Sequence, residues 1–157
     1  MIERVEDWIC EVNQSHELLR RSCAMLEDYF SGFYSPNFLA SAYFVVVEDI
    51  PKPDLPELRA AGLAEFIDMD VAGITYGDTY YVQRRAVNEL RLHFHELVHV
   101  LQWRELGPSV FIKRYAHEIQ TYGYDEAPLE KMAYSLDRHY QAKGQNLNVE
   151  EYVRKNL

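Results

Sequence analysis

The sequence lacks the features that identify membrane, secreted and nucleic-acid-binding proteins. No apolar run reaches the roughly 20 residues that a membrane-spanning helix needs. No basic segment followed by an apolar stretch opens the chain, so we expect no secretory leader and a cytoplasmic location. Acidic residues outnumber basic ones by 25 to 16, and the formal charge of −9 disfavours nucleic acid and anionic membranes, which attract lysine and arginine. This charge predicts a solvated acidic surface.

Cysteine is also scarce, and the spacing of the two cysteines excludes a local disulfide. Cys10 and Cys23 both fall in a segment with a helical pattern. At a rise of roughly 1.5 Å per residue they stand about 20 Å apart, beyond the reach of a disulfide. We expect both to be packing residues. The 48% apolar content can fill the core of a single domain spanning residues 1–157.

An apolar repeat at three- and four-residue steps runs through the N-terminal region. It comprises Ile2, Val5, Ile9, Val12, His16, Leu19, Cys23, Leu26 and Phe30. This spacing predicts one long amphipathic helix over residues 1–31, ending near Ser31 and Gly32. Its apolar face needs a partner, which can be the chain's own domain or a second copy in a homo-oligomer.

The segment that follows has the pattern of a small sheet. Apolar runs, alternation and turn signals predict strands at residues 43–47, at 67–71 and in a hairpin over 74–82. A proline-rich loop and a short helix closed by Gly62 connect the first two strands. The hairpin turns at Gly77, and glycine at the first central position favours a type II′ turn.

The five residues His95-Glu96-Leu97-Val98-His99 form the pattern H-E-x-x-H within a helical apolar repeat that Gly107 and Pro108 end. Residues four apart project from one helix face, so two imidazoles can bind one zinc ion at about 2.0–2.1 Å per bond. Glu96 lies about 100° further round the helix, which places its carboxylate beside the metal-bound water as a general base. A solvated face of histidine and glutamate is the alternative.

A catalytic zinc site usually combines three protein ligands with one open position, so another ligand must come from elsewhere in the chain. The metzincin pattern requires glycine and then histidine at positions where this chain has Gln102 and Glu105. The metzincin type is therefore excluded. A glutamate from a later helix is the better candidate.

The best candidate for this glutamate is Glu130, in a helix that begins near Pro128. Glu130 lies beside the apolar stripe of that helix and shares its face with Tyr134 and Asp137, either of which can support the ligands. Glu126, one turn earlier, is the rival ligand. A solvated carboxylate in the first helical turn is the alternative for Glu130.

Two segments resemble the zincin metallopeptidases of the gluzincin type, especially small bacterial ones with HELxHxxQ: HELVHVLQ over residues 95–102 and, later, Pro128, Leu129, Glu130 and Ala133. The resemblance covers roughly residues 74–140. It implies that His95, His99 and Glu130 bind zinc and that Glu96 is the catalytic base. Thermolysin-like members carry Asn-Glu-x-x-x-Asp around the last ligand, whereas here Leu129 precedes Glu130 and Tyr134 stands in place of the aspartate.

The resemblance also implies how a substrate binds. In zincins the strand upstream of the metal-binding helix is an edge strand that holds an extended substrate, and Tyr80–Val82 is the candidate here. An ordinary capped edge is the alternative. Tyr122 and Tyr124 precede the Glu130 helix, and Tyr124 is our candidate donor to the developing oxyanion, with core packing as the competing role for both. We expect three other histidines to lie at the surface or at helix ends: His93, His117 and His139.

These observations predict an α+β zincin-like domain with a long N-terminal helix, a small mixed twisted sheet, the H-E-x-x-H helix and a C-terminal helical lobe that delivers Glu130. The expected activity is zinc-dependent cleavage of peptide bonds in a peptide or protein substrate. Two alternatives remain: a zinc hydrolase for a non-peptide amide, and a non-catalytic zinc-binding scaffold that assembles through the N-terminal helix. Coordination by a fourth protein ligand would favour the scaffold.

Overall fold

The computed structural model describes residues 1–157 and shows an α+β fold that is 62% helical, with one small mixed sheet of four strands. The strands are β1 (Arg21–Ser22), β2 (Tyr43–Val47), β3 (Gly73–Tyr76) and β4 (Thr79–Gln83). The helices are α1 (Ile2–Ser15), α2 (Glu27–Phe30), α3 (Pro36–Ala40), α4 (Pro56–Leu58), α5 (Ala64–Asp68), α6 (Leu90–Leu106), α7 (Pro108–Tyr122), α8 (Pro128–Gln141) and α9 (Val149–Asn156). No helix is both long enough and apolar enough to cross a membrane.

The strand order β1-β2-β4-β3 places β4 in the interior of the sheet. β2 and β4 are parallel, and β3 and β4 form the predicted antiparallel hairpin. Gly77 has φ 72° at the first turn position, as a type II′ turn requires. The prediction that Tyr80–Val82 form a free edge is wrong, because strands pair with β4 on both sides. The edge strand that contacts α6 is β3.

The predicted strand over residues 67–71 is also wrong. Ile67 belongs to α5, a second helical segment that begins after Gly62, where φ is 88° and the backbone is not helical. The prediction that Gly62 closes the first helix is therefore confirmed. Ile67 is buried in an apolar core, and irregular backbone follows Asp68 up to β3. The alternation of apolar and acidic residues thus comes from a helix end followed by a loop.

The N-terminal helix is much shorter than predicted. α1 ends at Ser15, and the chain turns before Arg21 and Ser22 pair with β2. The Ser22 hydroxyl accepts a hydrogen bond from the backbone N–H of Ala24 and begins a short 3-10 turn. Serine side chains that bond to nearby backbone compete with continued helix, and strand pairing provides the remaining partners. Leu19, expected on the apolar face, is 66% exposed.

α1 packs against the chain's own domain. Val5 and Ile9 belong to an apolar core beside α7. The cysteines are free and do not share a helix: Cys23 is buried, whereas Cys10 is exposed. The packing role therefore holds for Cys23 and is wrong for Cys10.

α6 is the central helix of the fold. Every residue from 93 to 103 is buried, because β3 and β4 pack on this helix from one direction and α8 and α9 from another. Gly107, with φ 80°, ends the helix as predicted, and Pro108 opens a further helix, α7. A helix enclosed in this way carries its polar side chains into the protein interior, where each needs a partner.

Candidate metal centre

α6 and α8 bring His95, His99 and Glu130 together in the interior. The Nε2 atoms of the two histidines are 3.2 Å apart, and Oε1 of Glu130 lies 3.1 Å from His95 Nε2 and 3.2 Å from His99 Nε2. All three residues are buried, and their ligand atoms form a group that could hold a metal ion. The rival Glu126 is exposed and pairs with Lys131 at 3.0 Å, away from this group.

Hydrogen bonds determine which ring nitrogens face the group. Nδ1 of His95 lies 2.8 Å from Oδ2 of Asp137, and Nδ1 of His99 lies 2.7 Å from Oε1 of Gln102. The amide orientation of Gln102 follows from its Nε2, which donates to the Leu129 carbonyl at 3.0 Å. Carboxylate and amide oxygens accept, so both Nδ1 atoms donate, and neutral rings then direct Nε2 lone pairs at the carboxylate of Glu130. Three electron-pair donors so close together need a positive charge among them.

The charge balance of the group agrees with this requirement. Burial disfavours a charged ring, yet hydrogen bonds to Asp137 and Glu130 raise the pKa of His95 to about 10. For His99, Glu130 likewise outweighs burial and raises the pKa. In turn the two imidazoles hold the pKa of Glu130 well below its usual range despite its burial. The surroundings therefore favour positive charge on the histidine side and an ionised glutamate.

The position of Glu130 is determined by α7. Tyr115 donates from its hydroxyl to Oε2 of Glu130 at 2.6 Å. Oε1 lies close to both histidines, and Oε2 is also 3.2 Å from Nε2 of His99. One residue before Glu130, the backbone N–H of Leu129 donates to Oε1 of Glu118 at 2.7 Å. Because the first N–H groups of a helix lack partners within it, this buried carboxylate anchors the turn of α8 that carries Glu130.

Glu96 lies beside the group and is not one of its members. Its Oε2 accepts a hydrogen bond of 2.7 Å from the Thr75 hydroxyl on the edge strand β3. A side chain at Gly73 would place Cβ only 3.0 Å from Oε1 of Glu96, so glycine leaves room for this carboxylate. Burial raises the pKa of Glu96, and the nearby His95 and His99 partly offset that rise.

The tyrosines proposed as oxyanion donors have different positions. Tyr122 is 55% exposed, whereas Tyr124 lines the cavities around the group. The hydroxyl of Tyr124 lies 3.2 Å from that of Tyr134, whose ring stands 4.4 Å from the His95 ring between centroids. Tyr124 therefore stays a candidate donor to the oxyanion, and Tyr134 is a second candidate.

One prediction about the other histidines is wrong. His93 is buried, with Nδ1 2.7 Å from the Tyr80 hydroxyl and Nε2 2.7 Å from the Val87 carbonyl. It projects from α6 into the sheet, because it lies two residues before His95 and hence on the opposite side of the helix. His117 is exposed, and His139 bonds near the end of α8 to the Gln145 carbonyl.

Sequence reasoning missed three partners of the group, namely Tyr115, Thr75 and Glu118. Tyr115 and Glu118 are three apart on α7 and share a face, which is a weak signal in a chain with 12 tyrosines. Thr75 lies in a strand whose register with β4 was predictable, but its contact with α6 was not.

Two cavities meet at the group. One, of about 100 Å³, has mainly apolar walls and reaches His99 and Glu130. The other, of about 340 Å³, is more polar and lies on the side of His95. Gly73, Glu96 and Tyr124 line both cavities. A molecule that extends from one cavity into the other therefore passes Glu96.

Comparison with known proteins found no matching family model, no matching curated protein and no matching solved structure. The chemistry of the site consequently follows from its own residues.

Proposed function

We propose that the protein is a zinc-dependent hydrolase of the gluzincin type that cleaves peptide bonds. The observation that carries the proposal is the placement of the buried carboxylate of Glu96 beside, and outside, the group formed by His95, His99 and Glu130. A carboxylate in that position can accept a proton without occupying a ligand position. The group offers three protein ligands, and a zinc ion that they held would have one position left for water or substrate.

Zinc is the metal that fits the donor set best. Tetrahedral coordination with bonds of about 2.0–2.1 Å separates ligand atoms by about 3.3 Å. The three separations here are 3.1 Å to 3.2 Å. Two imidazoles and one carboxylate form a common set for catalytic zinc, whereas calcium and magnesium prefer oxygen ligands in larger number.

His95, His99 and Glu130 would hold the zinc ion, which would supply polarisation of the substrate carbonyl and a more acidic water. Glu96 accepts the proton of the attacking water as the C–O bond forms, and it returns that proton to the amine nitrogen that leaves when the C–N bond breaks. Thr75 holds Oε2 of Glu96 and leaves Oε1 for this transfer, and the raised pKa of the buried carboxylate makes it a stronger base. Asp137 and Gln102 hold the rings of His95 and His99 with Nε2 directed inward.

The developing oxyanion needs a hydrogen-bond donor near the open position. Tyr124 is the proposed donor, because it lines both cavities beside Glu96 and its hydroxyl is restrained by Tyr134. Burial raises the pKa of Tyr124, so its hydroxyl keeps the proton that this role requires.

A peptide substrate is proposed because an edge strand of the sheet adjoins Glu96. β3 is the last strand of the sheet, and its Thr75 bonds directly to Glu96. An extended peptide can add to such an edge through backbone hydrogen bonds, which would place its carbonyl next to the catalytic group. The role first assigned to Tyr80–Val82 thus passes to Gly73–Tyr76.

The decisive experiment compares zinc-loaded wild type with Glu96→Gln on a broad peptide library. The amide keeps the size of the side chain but cannot accept the proton, so zinc content should stay equal while turnover falls by roughly 10²–10⁴. Cleavage that survives the substitution would contradict the role of Glu96. Absence of cleavage by wild type, together with a fourth protein ligand on the zinc, would support the scaffold instead. Cleavage of small amides alone would support the non-peptide hydrolase.

A further inference from the structure

The two carboxylate oxygens of Glu130 lie at the same distance from the candidate metal ligand His99. Oε1 and Oε2 are each 3.2 Å from Nε2 of His99. Oε1 also lies 3.1 Å from Nε2 of His95. A carboxylate placed in this way can offer one oxygen or both oxygens to a metal ion, because each oxygen carries lone pairs. The position of Glu130 therefore does not by itself decide how many of its oxygens coordinate.

A hydrogen bond from Tyr115 distinguishes the two oxygens. The Tyr115 hydroxyl donates to Oε2 of Glu130 at 2.6 Å. This length lies in the range of roughly 2.5–2.7 Å that is typical of hydrogen bonds from a hydroxyl to an ionised oxygen. Breaking such a bond in the protein interior is costly, because no water replaces the lost donor there. Tyr115 therefore restrains Oε2, whereas Oε1 remains available to a metal ion.

Aromatic side chains hold the Tyr115 ring in place. It lies nearly parallel to the Phe111 ring, with 5.5 Å between centroids and an angle of 12° between the planes. Phe66 makes an edge contact with it, with centroids 5.7 Å apart. Phe111 in turn stacks on Trp103 at 4.2 Å between centroids. Because packed aromatic rings restrain one another, the Tyr115 hydroxyl has a defined position beside Glu130.

We propose that Tyr115 is a positioning residue that limits Glu130 to one coordinating oxygen and so keeps a coordination position open for water or substrate. Without the hydroxyl, Oε2 loses its partner on α7 and lies 3.2 Å from Nε2 of His99, near enough to join Oε1 at the metal. A second oxygen there would compete for the position that a catalytic site leaves open. This inference rests on the metal centre of the proposed function, but it requires neither turnover nor a particular substrate.

The open position is tested with Tyr115→Phe, which removes the hydroxyl and keeps the ring. Tyr122→Phe is the control, at a tyrosine of the same helix that is 55% exposed. Both variants and the wild type are loaded with cobalt(II), and azide, a small anion that binds to an open metal position, is titrated by visible absorption. Azide should bind Tyr115→Phe roughly tenfold or more weakly than the wild type, because an oxygen of the same side chain competes at high effective concentration. Tyr122→Phe should match the wild type.

Zinc affinity separates this role from simple support of a ligand. Loss of a side chain that only orients a ligand weakens metal binding by about 10–100-fold. Tyr115→Phe should instead keep or exceed the wild-type zinc affinity in chelator competition, because a donor oxygen is added. Phe66→Leu, which loosens the Tyr115 ring, should weaken azide in the same direction by a smaller factor, and it replaces Tyr115→Phe if thermal melting shows that this variant does not fold. Weaker zinc with unchanged azide affinity, or a wild type that binds no azide, would overturn the proposal.

Turnover is a separate readout. In the zinc-loaded protein, Tyr115→Phe should lower peptide cleavage by roughly tenfold or more, because the second oxygen competes with water and substrate. A wild type that binds azide more tightly than Tyr115→Phe but cleaves no peptide would contradict the hydrolase and not the role of Tyr115. Cleavage by the wild type, together with equal azide affinities in the two proteins, would contradict the role of Tyr115 and not the hydrolase.

Discussion

Oδ2 of Asp137 accepts a hydrogen bond of 2.8 Å from Nδ1 of His95, a residue 42 positions earlier in the chain. The other carboxylate oxygen of Asp137 accepts from Nε of Arg91 at 2.7 Å. The thermolysin-like pattern has its aspartate four residues after the glutamate ligand, where this chain has Tyr134. Asp137 lies nearly one turn further along α8 and supplies the carboxylate partner from there.

Asp137→Ala should weaken metal binding by about 10–100-fold, because the His95 ring loses the partner that sets its tautomer and orientation. Zinc affinity is measured by competition with a chromophoric chelator. Asp125→Ala is the matched control, since Asp125 is exposed and lines the same polar cavity. Equal affinities in the two variants would show that the Asp137 contact does not support the metal.

Glu130→Ala should lose bound zinc, whereas Glu126→Ala should retain it. Glu130 has an oxygen 3.1 Å from His95 Nε2, while Glu126 is exposed and paired with Lys131. Metal content after zinc loading and removal of excess ion gives the answer. Loss of zinc by Glu126→Ala alone would make Glu126 the ligand in place of Glu130. Retention of zinc by both variants would show that neither glutamate is a ligand.

Gly73→Ala should retain zinc and lose activity. The added Cβ would lie 3.0 Å from Oε1 of Glu96 and 3.2 Å from Cδ1 of Leu92, so the carboxylate must shift. A small displacement of a catalytic group lowers turnover by roughly tenfold or more. Parallel zinc analysis and thermal melting separate this effect from metal loss or unfolding. Normal turnover in the variant would show that the added Cβ does not displace the Glu96 carboxylate from its catalytic position.

Tyr80→Phe should reduce the free energy of unfolding by about 1–3 kcal/mol, because it leaves Nδ1 of the buried His93 without its partner. Zinc content should not change, since His93 projects away from the candidate metal ligands. Denaturant titration measures the loss, with Tyr122→Phe as the control at a tyrosine that is 55% exposed. A loss of zinc in Tyr80→Phe would mean that the His93 side of α6 supports the metal group.

The sequence by itself was sufficient to place the two histidines and Glu96 relative to one another, because helix geometry depends on residues within one turn. The end of α6, the start of α8 and the hairpin at Gly77 were predictable for the same reason, since glycine and proline act locally. The sequence also narrowed the last ligand to Glu130 or Glu126. That choice needed the packing of α8 on α6, which brings together residues more than thirty positions apart.

Tertiary structure alone decided the remaining features. The end of α1 depends on the pairing of Arg21 and Ser22 with β2, and the interior position of β4 depends on its parallel pairing with β2. The three- and four-residue spacing of apolar residues carries no information about either strand pairing. The same spacing also fits a helix face that contacts another subunit and one that lines a cavity of its own domain. The support of Glu130 by Tyr115 and of Glu96 by Thr75 likewise joins separate elements. Such contacts arise from long-range packing, which a repeat of three or four residues cannot encode.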